Sequence, residues 1–405
     1  MQPSLRFPEF KDKWEKKRLG NLSSQSMYGI GASAVEFDKK NVYVRITDID
    51  EDTRRIIGDY TSPDNIDEKY LLEKNDILFA RTGASTGKTY IHSKFDETLK
   101  YYFAGFLIKF KIKDNYSSKF IYQYTFTEMY KNWVKVMSVR SGQPGINSEE
   151  YSKLSLYIPK KEEQEKIGRF FSKIDQQIEL EEKKLELLDQ QKRGYMQKLF
   201  SQELRFKDKN GNQYPESKEY KLSEVGIFNS GIGFPENLQG GMEGVPFFKV
   251  SDMNNKGNEI VMRKSNNYVS NEIINSKKWK IITTVPSMIF AKVGAAIMLN
   301  RKRLVLEPFL IDNNTMSYSF SNEWNTSFGR VLFQTIYLPK YAQVGALPSY
   351  NAKDIGTIKV KLPTKQEQEK IGTFFDKIDN LIELQTNKIE LLKQRKQGLL
   401  QKMFV

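Results

Sequence analysis

The sequence predicts an α+β chain in which two strand-rich globular domains are separated by two long helices. Three observations lead there. The segment from Pro159 to Phe200 and the segment from Pro363 to Phe404 align without a gap at an offset of 204, with about 60% of positions identical, far above what two unrelated helices share. Inside each copy the apolar residues fall at alternating steps of four and three, the spacing of a helix that packs against another helix. Ahead of the first copy lie short apolar runs such as DILFAR and AGFLIKFKI, and between the copies VPFFKV and SMIFAKV, all bounded by Gly, Asn, Asp and Ser, which is strand-and-turn composition.

The repeat sets the boundaries: a first domain over 1–158, a helix over 159–203, a second domain over 204–362 and a second helix over 363–405. Pro159 and Pro363 mark the helix entrances, because proline is tolerated at the first turn and not inside. The seam of the first helix comprises Ile167, Phe171, Ile174, Ile178, Leu185 and Leu188; that of the second comprises Ile371, Phe375, Ile378, Ile382, Ile389 and Leu392. Glu181 and Lys192, with Gln385 and Lys396 in the copy, interrupt the seam and either set its register or stay solvated. The natural partner of one helix is the other, as an antiparallel intramolecular coiled coil with an approximate twofold. The alternative is a seam that pairs with a helix of another subunit. A second stripe, Leu180 and Leu187 with Leu384 and Leu391, is either additional core or a docking face.

Fainter repetition continues through the domains. Val44-Arg45-Ile46-Thr47-Asp48 mirrors Phe248-Lys249-Val250-Ser251-Asp252, and Gly29-Ile30-Gly31 mirrors Gly231-Ile232-Gly233. Asp76-Ile77-Leu78-Phe79-Ala80-Arg81 mirrors Ser287-Met288-Ile289-Phe290-Ala291-Lys292, while Pro144 and Asn147 mirror Pro348 and Asn351. A stretch around Lys119 to Lys135 has helical character.

Composition narrows the chemistry. With 64 Lys and Arg against 50 Asp and Glu the chain carries a net charge of +14, which points to a polyanionic partner through counterion release. A basic surface that serves only solubility is the competing reading. Cysteine is absent and histidine occurs once, at His92, so disulfides and zinc sites are excluded and a Ser-His-Asp triad has almost nothing to work with. No stretch reaches the roughly 20 apolar residues needed to cross a bilayer, and a cytoplasmic protein is expected. Gly83 to Thr89 approaches a P-loop but has three residues where four must separate the first glycine from Gly-Lys, and its counterpart at 292–297 has no Gly-Lys at all. The Gly-x-Gly pairs sit in no βαβ unit and read as turn glycines. No Asn-Pro-Pro-Phe/Tyr tetrapeptide for holding a flipped base occurs.

Variable domain, matched helix, variable domain, matched helix, each helix opening with Pro and then EQEKIG at 163–168 and 367–372, resembles the specificity subunit of a type I restriction–modification system. The resemblance spans the whole chain and is reinforced by the R/K-x-T/S-D and ILFAR-type segments. It implies two target-recognition domains on an antiparallel coiled coil acting as a ruler. Each domain would read one half of a bipartite, asymmetric site in double-stranded DNA. It further implies two methyltransferase subunits carrying S-adenosylmethionine and two restriction–translocase subunits using ATP and Mg. This chain would then be a recognition subunit with no catalytic residues, cofactor or metal of its own, and no membrane association. The rival readings are a coiled-coil scaffold, or a stand-alone nuclease or ATPase using the near-P-loop at 83–89. Because Arg and Lys pair with guanine and Asn and Gln with adenine, the candidate DNA contacts are basic, amide and hydroxyl residues on glycine-rich loops. In the first domain these are Arg45, Thr47, Arg81, Thr82, Lys88, Arg140, Ser141 and Gln143. In the second they are Lys249, Ser251, Lys292, Arg301, Arg303, Lys340 and Gln343.

Overall fold

Pro159 and Pro363 each follow a strand and precede a long helix: α1 (Lys161–Phe200) and α2 (Lys365–Met403) in the computed structural model. The structure describes residues 2–93, 98–139, 143–343 and 347–404. The chain divides into unit 1, Met1–Lys183 with Thr386–Val405, and unit 2, Lys184–Gln385. Both divisions fall inside a helix, so each unit contains the start of one helix and the end of the other.

That composition fixes the direction in which the helices meet. In unit 1, Ile167 and Phe171 from the start of α1 share a core with Leu400, Met403 and Phe404 from the end of α2. In unit 2, Ile371 and Phe375 from the start of α2 share a core with Leu199 from the end of α1. Start meets end both times, so the pairing is antiparallel. Ile167, Phe171, Ile178, Ile371, Phe375 and Ile389 are buried, and Ile174, Leu185, Leu188, Ile378, Ile382 and Leu392 are half-buried. The neighbouring stripe is not core: Leu180, Leu187, Leu384 and Leu391 are 66%, 58%, 67% and 66% exposed.

The interruptions in the seam are bridged rather than solvated. Lys192 lies 2.7 Å from Asp379 in unit 2, and Lys396 lies 2.7 Å from Asp175 in unit 1, the same cross-helix pair made twice. Glu181 pairs with Lys388. Burial pushes the Lys396 ammonium below its ordinary pKa, opposed by the Asp175 carboxylate, and its Nζ sits 3.9 Å from the centre of the Phe126 ring. A cation in that position is held by its partner and the ring together.

Each unit is built on one four-stranded antiparallel sheet. In unit 1 the strands are β1 (Ser23–Tyr28), β2 (Ile77–Ala80), β3 (Thr89–Ile91) and β4 (Leu107–Ile112), in the order β1-β4-β2-β3. Unit 2 has β5 (Gly226–Ser230), β6 (Ser287–Ala291), β7 (Lys302–Val305) and β8 (Thr315–Phe320), in the order β5-β8-β6-β7. The topologies are the same. Because successive side chains point to opposite faces, Ile77 and Phe79 enter the core shared with the helices while Leu78 and Ala80 enter a second core behind the sheet. Met288 and Phe290 divide from Ile289 in the same way. This two-sided burial is why DILFA and SMIFA read as continuous apolar runs.

The helical stretch expected around 119–135 is two helices, Ser118–Tyr124 and Glu128–Met137. Thr127 breaks it, because its hydroxyl caps the second helix by accepting from the Tyr130 N–H. The glycines at 29 and 231 serve close approach more than a turn. A Cβ on Gly29 would stand 2.3 Å from the carbonyl oxygens of Phe103 and Ala104, and one on Gly231 would stand 1.8 Å from that of Asp312.

Candidate nucleic-acid interface

The EQEKIG segments are joints between helix and globular unit. Glu163, 1% exposed, accepts a bidentate pair from Arg6 at 2.7 Å and 2.7 Å. Glu367 accepts the same from Arg205 at 3.2 Å and 2.7 Å. The next residue threads the helix to the domain. Gln164 accepts from the Ser117 N–H (3.0 Å) and donates to the Pro159 carbonyl (2.7 Å); Gln368 accepts from Asn325 (2.8 Å) and donates to Pro363 (2.9 Å). The glycine four residues on admits the capped helix of the domain. A Cβ on Gly168 would meet the Phe120 nitrogen at 3.0 Å, and one on Gly372 the Phe328 nitrogen at 2.8 Å.

The joint has a fourth repeated part. Leu5-Arg6-Phe7 and Leu204-Arg205-Phe206 occupy equivalent places, since the Leu5 N–H donates to the Lys402 carbonyl (2.9 Å) and the Leu204 N–H to the Lys198 carbonyl (3.0 Å). The segment near the amino end therefore takes up the end of α2 as residues 204–206 take up the end of α1. That tripeptide was legible as a repeat and was missed, because its offset differs from that of the helices.

Away from the joint, the loops at one end of each sheet gather seven of the fifteen candidate residues. In unit 1 the Ala104 N–H donates to the Val44 carbonyl (2.9 Å), bringing Arg45 beside the 104–106 turn. The Arg81 N–H donates to the Phe106 carbonyl (3.0 Å), and the Gly83 N–H to that of Pro144 (3.0 Å). Thr82 pairs with Gly145, and Gln143 is exposed beside them. Arg140 and Ser141 lie outside the described residues. In unit 2 the Asp312 N–H donates to the Phe248 carbonyl (3.1 Å), the Lys292 N–H to Asn314 (2.9 Å) and the Gly294 N–H to Pro348 (2.8 Å). Val293 and Gln343 both pair with Ser349. Arg45, Arg81, Thr82 and Gln143 thus share one loop cluster, and Lys249, Lys292 and Gln343 share its counterpart.

The remaining candidates are placed differently. In the R/K-x-T/S-D segments the aspartate is a local clamp: Asp48 accepts from the Arg45 N–H (3.0 Å) and Asp252 from the Lys249 N–H (2.8 Å). Asp48 also takes the Arg45 guanidinium at 2.9 Å and 2.7 Å, whereas Lys249 donates to Gln239 (3.0 Å). Thr47 and Ser251 are exposed on these turns. Lys88 is turned inward, with 6% of its side chain exposed, donating to the Ile49 carbonyl (2.8 Å) and pairing with Glu51 (2.7 Å). Its loop leads into β3 and not into a helix, so neither the free ammonium nor the helix N-terminus of a phosphate cradle is there. Arg301 is exposed and donates to Asn254. Arg303 lies within β7 opposite Ile289, half-buried, with its pKa lowered by burial. Lys340 is exposed on the turn Leu338–Tyr341.

Two residues at the loop end carried no sequence signal. Tyr28 ends β1 with its ring 5.0 Å from the Arg81 guanidinium, and Phe106 tops the turn into β4 at 59% exposure. Elsewhere, among the described residues, no group of three or more His, Cys, Asp or Glu could hold a metal ion, and no helix is long and apolar enough to cross a membrane. His92 is buried against Tyr101, and its Nδ1 is 3.1 Å from the Tyr90 hydroxyl, away from any nucleophile pattern.

Comparison with known proteins fits this plan. The chain is 23% identical over 363 residues to the type I restriction enzyme MjaVIII specificity subunit of Methanocaldococcus jannaschii, covering 82% of this chain and 79% of that protein. The fold is similar to the crystal structure of the type I restriction–modification S subunit from M. genitalium. That likeness has a TM-score of 0.62 at 16% identity and covers 100% of this chain and 99% of the other. It is also similar to a chain solved in work on complex assembly and conformational transition of the type I R-M system, with a TM-score of 0.55, 14% identity and 98% of both chains covered. The sequence pattern of the type I restriction modification DNA specificity domain matches twice, over residues 11–190 and 215–394, once for each repeat, and the chain belongs to that family.

Proposed function

We propose that this chain selects the DNA sequence on which a type I restriction–modification complex acts, unit 1 reading one half-site and unit 2 the other. The observation that carries this is the contrast within one fold: the joints to the helices are the same in both units, and the loop ends, with their basic and amide residues, are not. Arg81 of unit 1 corresponds to Lys292 of unit 2, and a guanidinium and an ammonium make different contacts with base edges and phosphates. The half-sites then differ, and the recognised site is asymmetric.

In this reading the paired helices set the number of unread bases between the half-sites. Their exposed leucines, Leu180 with Leu391 in unit 1 and Leu187 with Leu384 in unit 2, receive the methyltransferase subunits. Adenine methylation with S-adenosylmethionine, and cleavage with ATP and Mg, belong to two methyltransferase and two restriction–translocase partners. The chain itself recognises and does not catalyse, and it works in the cytoplasm. The inward-facing Lys88 speaks against the ATPase alternative.

The test is to map methylated bases in cells expressing this chain with its methyltransferase partners. The expected result is a bipartite, asymmetric motif, and insertion of seven residues into both helices lengthens its spacer. A spacer unchanged by the insertion overturns the ruler role; turnover of ATP or DNA by the purified chain alone overturns the non-catalytic role.

A further inference from the structure

The two sheets end in the same turn, and the residue at its tip differs in kind. Ala80, the last residue of β2, pairs with Leu107, the first of β4; Ala291, the last of β6, pairs with Thr315, the first of β8. One residue before each, the carbonyl accepts the backbone N–H of the next candidate contact: Phe106 from Arg81 at 3.0 Å and Asn314 from Lys292 at 2.9 Å. Phe106 and Asn314 therefore occupy one structural position, locked by backbone bonds that do not depend on their side chains. Both are exposed, Phe106 at 59%. The Asn314 amide reaches only the Asp312 carboxylate, at 3.4 Å.

An exposed phenylalanine on a turn bonded to the Arg81 backbone is costly to leave in water and gains when it is covered. A DNA major groove offers an apolar surface, the thymine methyl, beside phosphates and base edges that an arginine engages. An asparagine there has the geometry for the paired acceptor and donor of an adenine edge. Resting on the DNA-reading role proposed above, we propose that this tip position is a specificity-determining residue in each unit. Phe106 makes an apolar contact with a thymine-bearing step in one half-site, and Asn314 makes a hydrogen-bonded contact with a base edge in the other.

The experiment maps methylated motifs for the full complex carrying wild type, Phe106→Ala, Phe106→Asn or Asn314→Ala. Each alanine variant is expected to relax one base pair, in one half-site only, by roughly tenfold or more in relative methylation. The half-site read by the other unit stays as in wild type, which also reports that the complex is assembled. Phe106→Asn is expected to change the preferred base rather than merely relax it. If the variants leave both half-sites unaltered, or lower methylation uniformly at every site without changing its sequence, the tip assignment is overturned while the DNA-reading role stands. If the wild-type complex yields no bipartite motif, the DNA-reading role itself fails, and the tip assignment with it.

Discussion

The joint and the loop end of each unit differ in how far unit 1 and unit 2 agree. At the joint, unit 1 and unit 2 agree residue by residue: Arg6 with Glu163 against Arg205 with Glu367, Gln164 against Gln368, Gly168 against Gly372, and Lys396–Asp175 against Lys192–Asp379. At the loop end the backbone bonds agree, but Arg81, Phe106 and Gly145 stand where unit 2 has Lys292, Asn314 and Ser349. A buried bidentate ion pair with a buried glutamine and a glycine contact under 3.1 Å tolerates few single substitutions, because each part removed alone leaves a buried polar group unpaired or a backbone clash. Exposed side chains on loops held by backbone hydrogen bonds can change without cost to the fold. The difference teaches that the molecule separates what must stay constant, the attachment, from what is free to diversify, the reading surface.

Breaking the joint is expected to have the largest effect. Glu163→Ala or Glu367→Ala leaves an arginine half-sequestered without its carboxylate and is expected to destabilise the affected unit by about 3 kcal/mol. Urea unfolding monitors this directly. The paired replacement Arg6→Met with Glu163→Leu is expected to recover most of the loss; equal loss in the single and double variants would show that the pair does not act as a unit.

The second test separates the units by pH. Burial pushes His92 down to about 4, and unit 2 has Val305 in the matching position after β7 begins. A histidine kept neutral by folding contributes its full stability above its unfolded pKa near 6.5 and loses it as pH falls toward 4, about 3 kcal/mol at the acid limit. Asp76, raised by burial, titrates in the opposite sense, so the informative quantity is a difference. Between pH 7 and pH 4.5 the urea midpoint is expected to fall more steeply for wild type than for His92→Leu. Parallel slopes would remove the assignment.

The smallest effect on stability is expected on the exposed stripe. Leu180→Ser together with Leu391→Ser should change stability by no more than about 0.5 kcal/mol, because both side chains are already in water. Co-purification with the methyltransferase subunit is expected to fall sharply. Retained assembly would show that another face of the helices receives it.

The long-period pattern made most of the fold legible. The seam residues that heptad spacing names are all buried or half-buried, though it passes over Leu400 in the shared core, and DILFA and SMIFA mark the two central strands. The split of the 119–135 helix at Thr127 was not legible, because a capping threonine looks the same as a surface one until the following N–H is placed. Of the candidate contacts, Arg81, Thr82 and Gln143 come together as a loop cluster, while Lys88 turns inward because carbonyls of residues far along the chain converge on its ammonium.

From residue order alone came the duplicated plan, the heptad seams and the resemblance to the family, since periodicity and self-similarity are properties of spacing along one chain; that the two seams meet each other, start to end, was decided by packing. Folding in three dimensions decided which charged side chains brace the fold and which stand at the loop ends. Arg6 and Lys88 are braces, while the Arg81 guanidinium lies over the Tyr28 ring at the loop end, although all three are basic residues in polar surroundings of sequence. A charge's role depends on which acceptors tertiary packing brings within about 3 Å of it, and those acceptors lie 39 and 157 residues away along the chain.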